Sequence, residues 1–138
     1  MNSRVKPLWL ALHLPCLPLE ANLSLSSPSA VVEQGRILLG DGAARQAGVE
    51  SGTGVAAARM LLPAITLIAR NSSREAAAMH SLACWAGCLT PRISLTPDTL
   101  LLEIGGCLRL FGGLEKLVAA AKEGVLAQGF TLALAVAP

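Results

Sequence analysis

Tyrosine is absent from this chain, and its only aromatics are two Trp and two Phe among 138 residues. A core without aromatic bulk must rest on Leu, Val, Ile and Ala, and the 53% hydrophobic content supplies enough of them. Charge is scarce too, with 14% Asp, Glu, Lys and Arg and a net charge of +2. Such apolarity excludes a disordered chain. The eleven basic residues form no run, so charge alone gives no phosphate-binding stripe. Cysteine is limited to Cys16, Cys84, Cys88 and Cys107, with no CxxC pair. Cys84 and Cys88 are spaced to share one helix face, but a Cys-rich zinc site wants tighter pairs. The four therefore read as ordinary thiols in a reducing cytoplasm. Histidine is confined to His13 and His80, and spacing assembles no Ser-His-Asp or Cys-His set around them.

Long apolar runs are also lacking. Arg4 and Lys6 precede LWLALHLPCLPL, which has the outline of a signal peptide. His13, Pro15 and Pro18 interrupt that run, and no A-x-A site follows Glu20. No other segment reaches the ~18 uninterrupted apolar residues that a membrane helix requires. A cytoplasmic protein with no membrane partner is expected.

What is present reads as alternating short elements within a length that suits one domain. Leu8–Leu14 is a buried strand closed by Pro15, and it carries no acid. Leu23–Ser29 is a Ser-rich loop. Ala30–Glu33 and Arg36–Leu39 flank Gln34-Gly35 as a hairpin. Asp41 caps a short helix that ends at Gly48, and Gly52-Thr53-Gly54 opens a second, Val55–Leu62, before Pro63. Ile65–Ala69 is a strand. Ser72 and Glu75 match a capping box for a helix to about Leu89, with Leu82, Trp85 and Leu89 on its buried face. Arg92–Thr96 and Thr99–Ile104 are strands around the turn Pro97-Asp98. Leu114–Ala127 is an amphipathic helix turning Leu114, Leu117, Val118, Ala121, Val125 and Leu126 inward, and Phe130–Val136 is a last apolar strand. The order predicts an α+β fold with helices layered on one sheet face.

Little of this is reactive. Gly52-Thr53-Gly54 precedes a helix but lacks the third glycine of a dinucleotide fingerprint, and Gly105-Gly106 and Gly112-Gly113 lack the Lys-Ser/Thr of a P-loop. All three read as turns. With no acid beside it on its strand, His13 reads as a packed residue. Glu103 is either a site carboxylate or a solvated acid.

Three strings taken together, LWLALHLPCLPLE, GAARQAGVESGTGVAAARMLLP and TPRISL…LLLEIGGCLRLFGG, resemble the Y-family (UmuC/DinB-type) DNA polymerases. The similarity runs from Leu8 to Pro138 and is greatest to the family's non-catalytic mutasome branch. It implies a polymerase palm-like sheet, residues 7–22 and 71–138, interrupted by a small fingers subdomain at 23–70. The rest of the palm, the thumb and the little finger would lie outside the 138 residues. Active members hold two Mg²⁺ on one Asp of the first strand and an Asp-Glu pair of a later hairpin. The resemblance puts Ala11 in the place of the first Asp and His13 in that of the next acid. Thr96 and Pro97 fall near the acidic pair, with Asp98 just beyond. Alanine has no ligand atom, and Mg²⁺ prefers hard oxygens to imidazole.

Arg45 matches the family's triphosphate-binding Arg, Gly42 replaces the Tyr three residues before it, and Cys16 stands at the sugar gate. The resemblance thus implies no cofactor and a scaffold in damage-induced mutagenesis (SOS-type translesion synthesis). DNA, an error-prone polymerase and a sliding clamp would be partners of the whole protein, with weak or absent binding by this part alone. Two other readings stay open: an active Mg²⁺-dependent nucleotidyltransferase using Asp98 and Glu103, and a folded remnant without function.

Overall fold

In the computed structural model, residues 6–22 and 26–138 are described. The elements in chain order are β1 (Trp9–His13), α1 (Leu17–Glu20), β2 (Ser29–Glu33), β3 (Arg36–Gly40), α2 (Gly42–Gln46), α3 (Val55–Leu61), β4 (Thr66–Ala69), α4 (Ser72–Ala86), β5 (Ile93–Leu95), β6 (Thr99–Glu103), α5 (Leu108–Phe111), α6 (Leu114–Ala127) and β7 (Ala133–Ala137). They form two compact units, one of Met1–Leu17 with Ala76–Pro138 and one of Pro18–Glu75.

The first unit is built on a sheet of order β5-β6-β1-β7, antiparallel throughout. Strand periodicity explains its two faces. Leu10 and Leu12 of β1 and Leu100 and Leu102 of β6 are fully buried, while Ala11, His13, Thr99, Leu101 and Glu103 on the other face stay half-buried. Met79, Leu82 and Ala86 of α4 and Leu117, Ala121 and Val125 of α6 supply the helical part of the core. The buried stripe of α6 is narrower than its sequence suggests. Leu114 and Leu126 remain 37% and 49% exposed, because only the 117, 121, 125 row meets the core. The last strand also departs from expectation. It starts at Ala133, pairs only with β1 at the sheet edge, and exposes all five residues.

The second unit has a sheet of order β3-β2-β4, with β2 antiparallel to β3 and parallel to β4. Gln34 and Gly35 both adopt positive φ, 52° and 74°, so the β2–β3 turn is the primed kind that matches strand twist. Ala30, Ile37, Ala44, Val49 and Ala58 form its core, with Val32, Leu62, Ile65 and Leu67 packed around them.

Asp41 is the hub of this unit. One carboxylate oxygen accepts the Ala44 N–H (2.9 Å) to cap α2, and the other accepts the Ser27 hydroxyl (2.8 Å) and the Ser29 N–H (3.1 Å). Burial alone would raise its pKa, but these hydrogen bonds outweigh burial and hold the carboxyl below its ordinary 3.8. The stabilisation is therefore complete above pH 3.8 and is lost as the pH falls through the lower folded value. Asp41→Ala is expected to cost about 1 kcal/mol at neutral pH, the usual loss of a helix cap. Urea unfolding followed by far-UV circular dichroism checks both the loss and its disappearance in acid.

At the start of α4 the cap lies one residue earlier than Ser72. Asn71 Oδ1 accepts the Arg74 N–H (3.1 Å), and Ser72 is already helical. Glu75 does not reach back to the backbone, because a guanidinium is the stronger partner: Arg70 grips it with Nε and Nη2 at 2.9 and 3.0 Å. The far end of α4 also stops short of Leu89. From Gly87 onward the last turn tightens into bonds three residues back, Cys88 to Trp85 and Leu89 to Ala86.

Candidate functional site

The β1–β6 register sets His13 opposite Thr99, Ala11 opposite Leu101 and Trp9 opposite Glu103. At the His13 end the turn joining β5 to β6 folds back on β1. His13 Nδ1 lies 3.1 Å from Thr99 Oγ1 and 3.8 Å from Asp98 Oδ2. The Thr99 hydroxyl donates to Asp98 Oδ1 (3.0 Å), and Thr96 Oγ1 accepts the Thr99 N–H (3.0 Å). The Leu14 N–H bonds the Asp98 carbonyl at 2.9 Å, tying strand end to turn. Thr96, Pro97 and Asp98 are exposed at this tip. Ala11, two residues back on the same face, offers no polar atom.

His13 is thus not the packed residue its strand context suggests. Its side chain is 42% exposed and shares the tip with an acid from another strand pair. That neighbour is invisible along the chain, since Asp98 lies 85 positions away. Only the pairing of Leu10 and Leu12 with Leu100 and Leu102 brings the two together. Exposure of 42% and 55% leaves the pair open to solvent, so its attraction is small. As an expected outcome, His13→Ala changes stability by less than about 1 kcal/mol, measured by thermal unfolding at pH 7.

Glu103 belongs to the opposite end of β6. Its Oε1 accepts the Leu8 N–H (3.2 Å) and the Gly105 N–H (2.9 Å), which fixes the chain on both sides of the sheet end. Asp98 and Glu103 are therefore separated by the length of a strand, roughly 16 Å at the usual rise per residue. Among the described residues, no three of His, Cys, Asp and Glu converge to hold a metal ion.

Arg45 lies in the other unit, on α2. It is exposed, sets Nε 3.5 Å from the Asp41 carbonyl, and lines a cavity of about 250 Å³ with Leu38, Leu39, Val49 and Glu50. Gly42 is the first residue of α2, and Cys16 is half-buried beside α1. None of the four cysteines is in a disulfide, and Cys84 on α4 and Cys88 just past its end are exposed rather than buried. No helix among the described residues is long and apolar enough to cross a membrane.

The fold is similar to part of solved Y-family DNA polymerases. A post-insertion binary complex of Dbh DNA polymerase superposes with a TM-score of 0.77 at 18% identity, over 95% of this chain and 42% of that one. A Dbh ternary complex gives 0.76 at 17%, over 95% and 41%. DinB from Sulfolobus solfataricus gives 0.70 at 14%, over 95% and 42%. The chain thus spans about two fifths of the length of these structures. The sequence pattern of the impB/mucB/samB family matches residues 18–138, and the chain belongs to that family. No curated protein matches it.

Proposed function

We propose that this chain is the palm-and-fingers part of a non-catalytic, ImuB-type member of the family. Its role is that of a scaffold in DNA repair by translesion synthesis, where damage-induced mutagenesis needs an error-prone polymerase brought to DNA. The palm is residues 7–22 and 71–138 and the fingers 23–70, a division supported by the two compact units at 1–17 with 76–138 and at 18–75. DNA, an error-prone polymerase and a sliding clamp are partners of the whole protein.

The observation that carries this reading is the polar tip of β1 and the β5–β6 turn. Two-metal phosphoryl transfer needs carboxylates clustered around ions ~3.5–4 Å apart. The tip holds one carboxylate, Asp98, already hydrogen-bonded to Thr99, beside the imidazole of His13. The place that the family's first Asp would fill is Ala11. Mg²⁺ requires near-octahedral oxygen ligation, and this donor set does not fit it. The competing reading, metal chemistry by Asp98 and Glu103, needs two acids in one site, and they stand at opposite ends of β6.

Primer extension by the full-length protein with Mg²⁺ and all four nucleoside triphosphates is the test. No extension above background is expected. Extension that Asp98→Ala abolishes overturns the reading. For the 138-residue chain, calorimetric titration with a nucleoside triphosphate is expected to give the same weak or null signal with and without Mg²⁺.

A further inference from the structure

The Glu103 end of the sheet holds a cavity of about 520 Å³, lined by Pro7, Thr90, Pro91, Arg92, Glu103 and Cys107, among others. Its size lies within the usual range of small-molecule sites. Two opposite charges share this space without forming an ion pair. Glu103 cannot swing across, because two backbone N–H groups hold its Oε1. The Thr90 hydroxyl stiffens the same wall: it donates to the Glu103 carbonyl at 2.6 Å and accepts the Arg92 N–H at 3.2 Å. Among the described residues, Glu103 Oε2 and the Arg92 guanidinium make no hydrogen bond or ion pair. Pro7 and Pro91 add two rigid apolar walls with no N–H to satisfy.

We infer that this cavity is a binding site for a small zwitterion of the amino-acid type, a free α-amino acid or a short peptide. The ligand carboxylate meets the Arg92 fork, for which planar two-point recognition is suited, and its ammonium meets the free oxygen of Glu103. A ligand with both charges completes two partial sites at once, whereas an anion or a cation alone completes one. Affinity in the region of 1 mM is expected, because a ligand this small has few atoms to contribute. The site is independent of the β1 tip, at the other end of β6.

Amide correlation spectra of the 138-residue chain test this, with glycine, glycylglycine, acetate and methylammonium as probes at equal ionic strength. Saturable shifts at Glu103, Gly105, Gly106 and Cys107 are expected with one or both zwitterions, and which of them binds tighter separates the free amino acid from the peptide. Acetate and methylammonium are expected not to saturate over the same range. Arg92→Gln, an exposed substitution, should weaken zwitterion binding about tenfold or more. Glu103→Gln keeps an acceptor for Leu8 and Gly105 while removing the charge, and should weaken it similarly. No saturable shift with either zwitterion, equal saturation by acetate, or unchanged affinity in Glu103→Gln overturns the assignment.

Discussion

Gly124→Ala is expected to destabilise the first unit, although Ala is the better helix former. Gly124 sits in α6 directly beneath the indole of Trp85 on α4. A Cβ built there would lie 1.8 Å from Trp85 Cζ2 and 2.5 Å from Cε2, well inside any real carbon contact. The neighbour is a rigid ring rather than the tip of a flexible chain, so either the ring leaves its rotamer or the two helices separate. Overpacking of this kind costs about 3 kcal/mol, the upper part of the usual range. Alanine returns about 1 kcal/mol through helix propensity. The net loss should be about 2 kcal/mol, measured as a shift in the urea midpoint by far-UV circular dichroism. Trp85→Leu in the same background should remove most of the penalty of the added methyl. If Gly124→Ala is neutral or stabilising, the helices do not meet as described.

Arg70→Met is the second large effect, and it acts on the other unit. Arg70 directly follows β4 and holds two acids: Glu75 in a two-point grip, and Glu33 through Nη1 at 3.2 Å. The side chain of Glu75 is only 8% exposed, whereas that of Arg70 is 34% exposed. The hydrogen bonds to Glu75 raise the Arg70 pKa further above its already high value, despite the opposing cost of burial. Removing the cation leaves a nearly buried carboxylate without its partner, a change that costs 3–5 kcal/mol for a wholly buried pair. Solvent around Arg70 reduces this to about 2–3 kcal/mol. Arg70→Met with Glu75→Leu should recover most of the loss, because no charge is then stranded. A double variant as unstable as Arg70→Met alone would place the cost elsewhere.

Much of the fold is legible along the chain because local rules agree with the final packing. The Gln34-Gly35 hairpin, the Asp41 cap, α6 over Leu114–Ala127 and the strands around Pro97-Asp98 all stand where turn chemistry and periodicity put them. The misses share a cause. Asn71 displaces Ser72 as the cap because Glu75 is drawn to Arg70, a competition settled by β4 lying nearby. The apolar string in β7 looks like core but lies open, since nothing in ALAVA tells which side of a sheet remains uncovered.

The candidate site was half legible in the same sense. That β1 carries no acid can be read from the strand alone, but the meeting of His13 with Asp98 needs a register between strands that are 85 residues apart. Glu103 was ambiguous between site and solvent because its two backbone partners come from different strand ends. Its cavity is a product of three converging segments, and no local spacing announces it.

The scarcity of aromatics has an optical consequence. Trp9 and Trp85 both belong to the first unit, and the Pro18–Glu75 unit holds no Trp, Tyr or Phe at all. Tryptophan emission therefore arises in one unit alone. Melting of the other unit is best followed by backbone signals, or by a single tryptophan introduced at an exposed position such as Met60, which is 84% accessible.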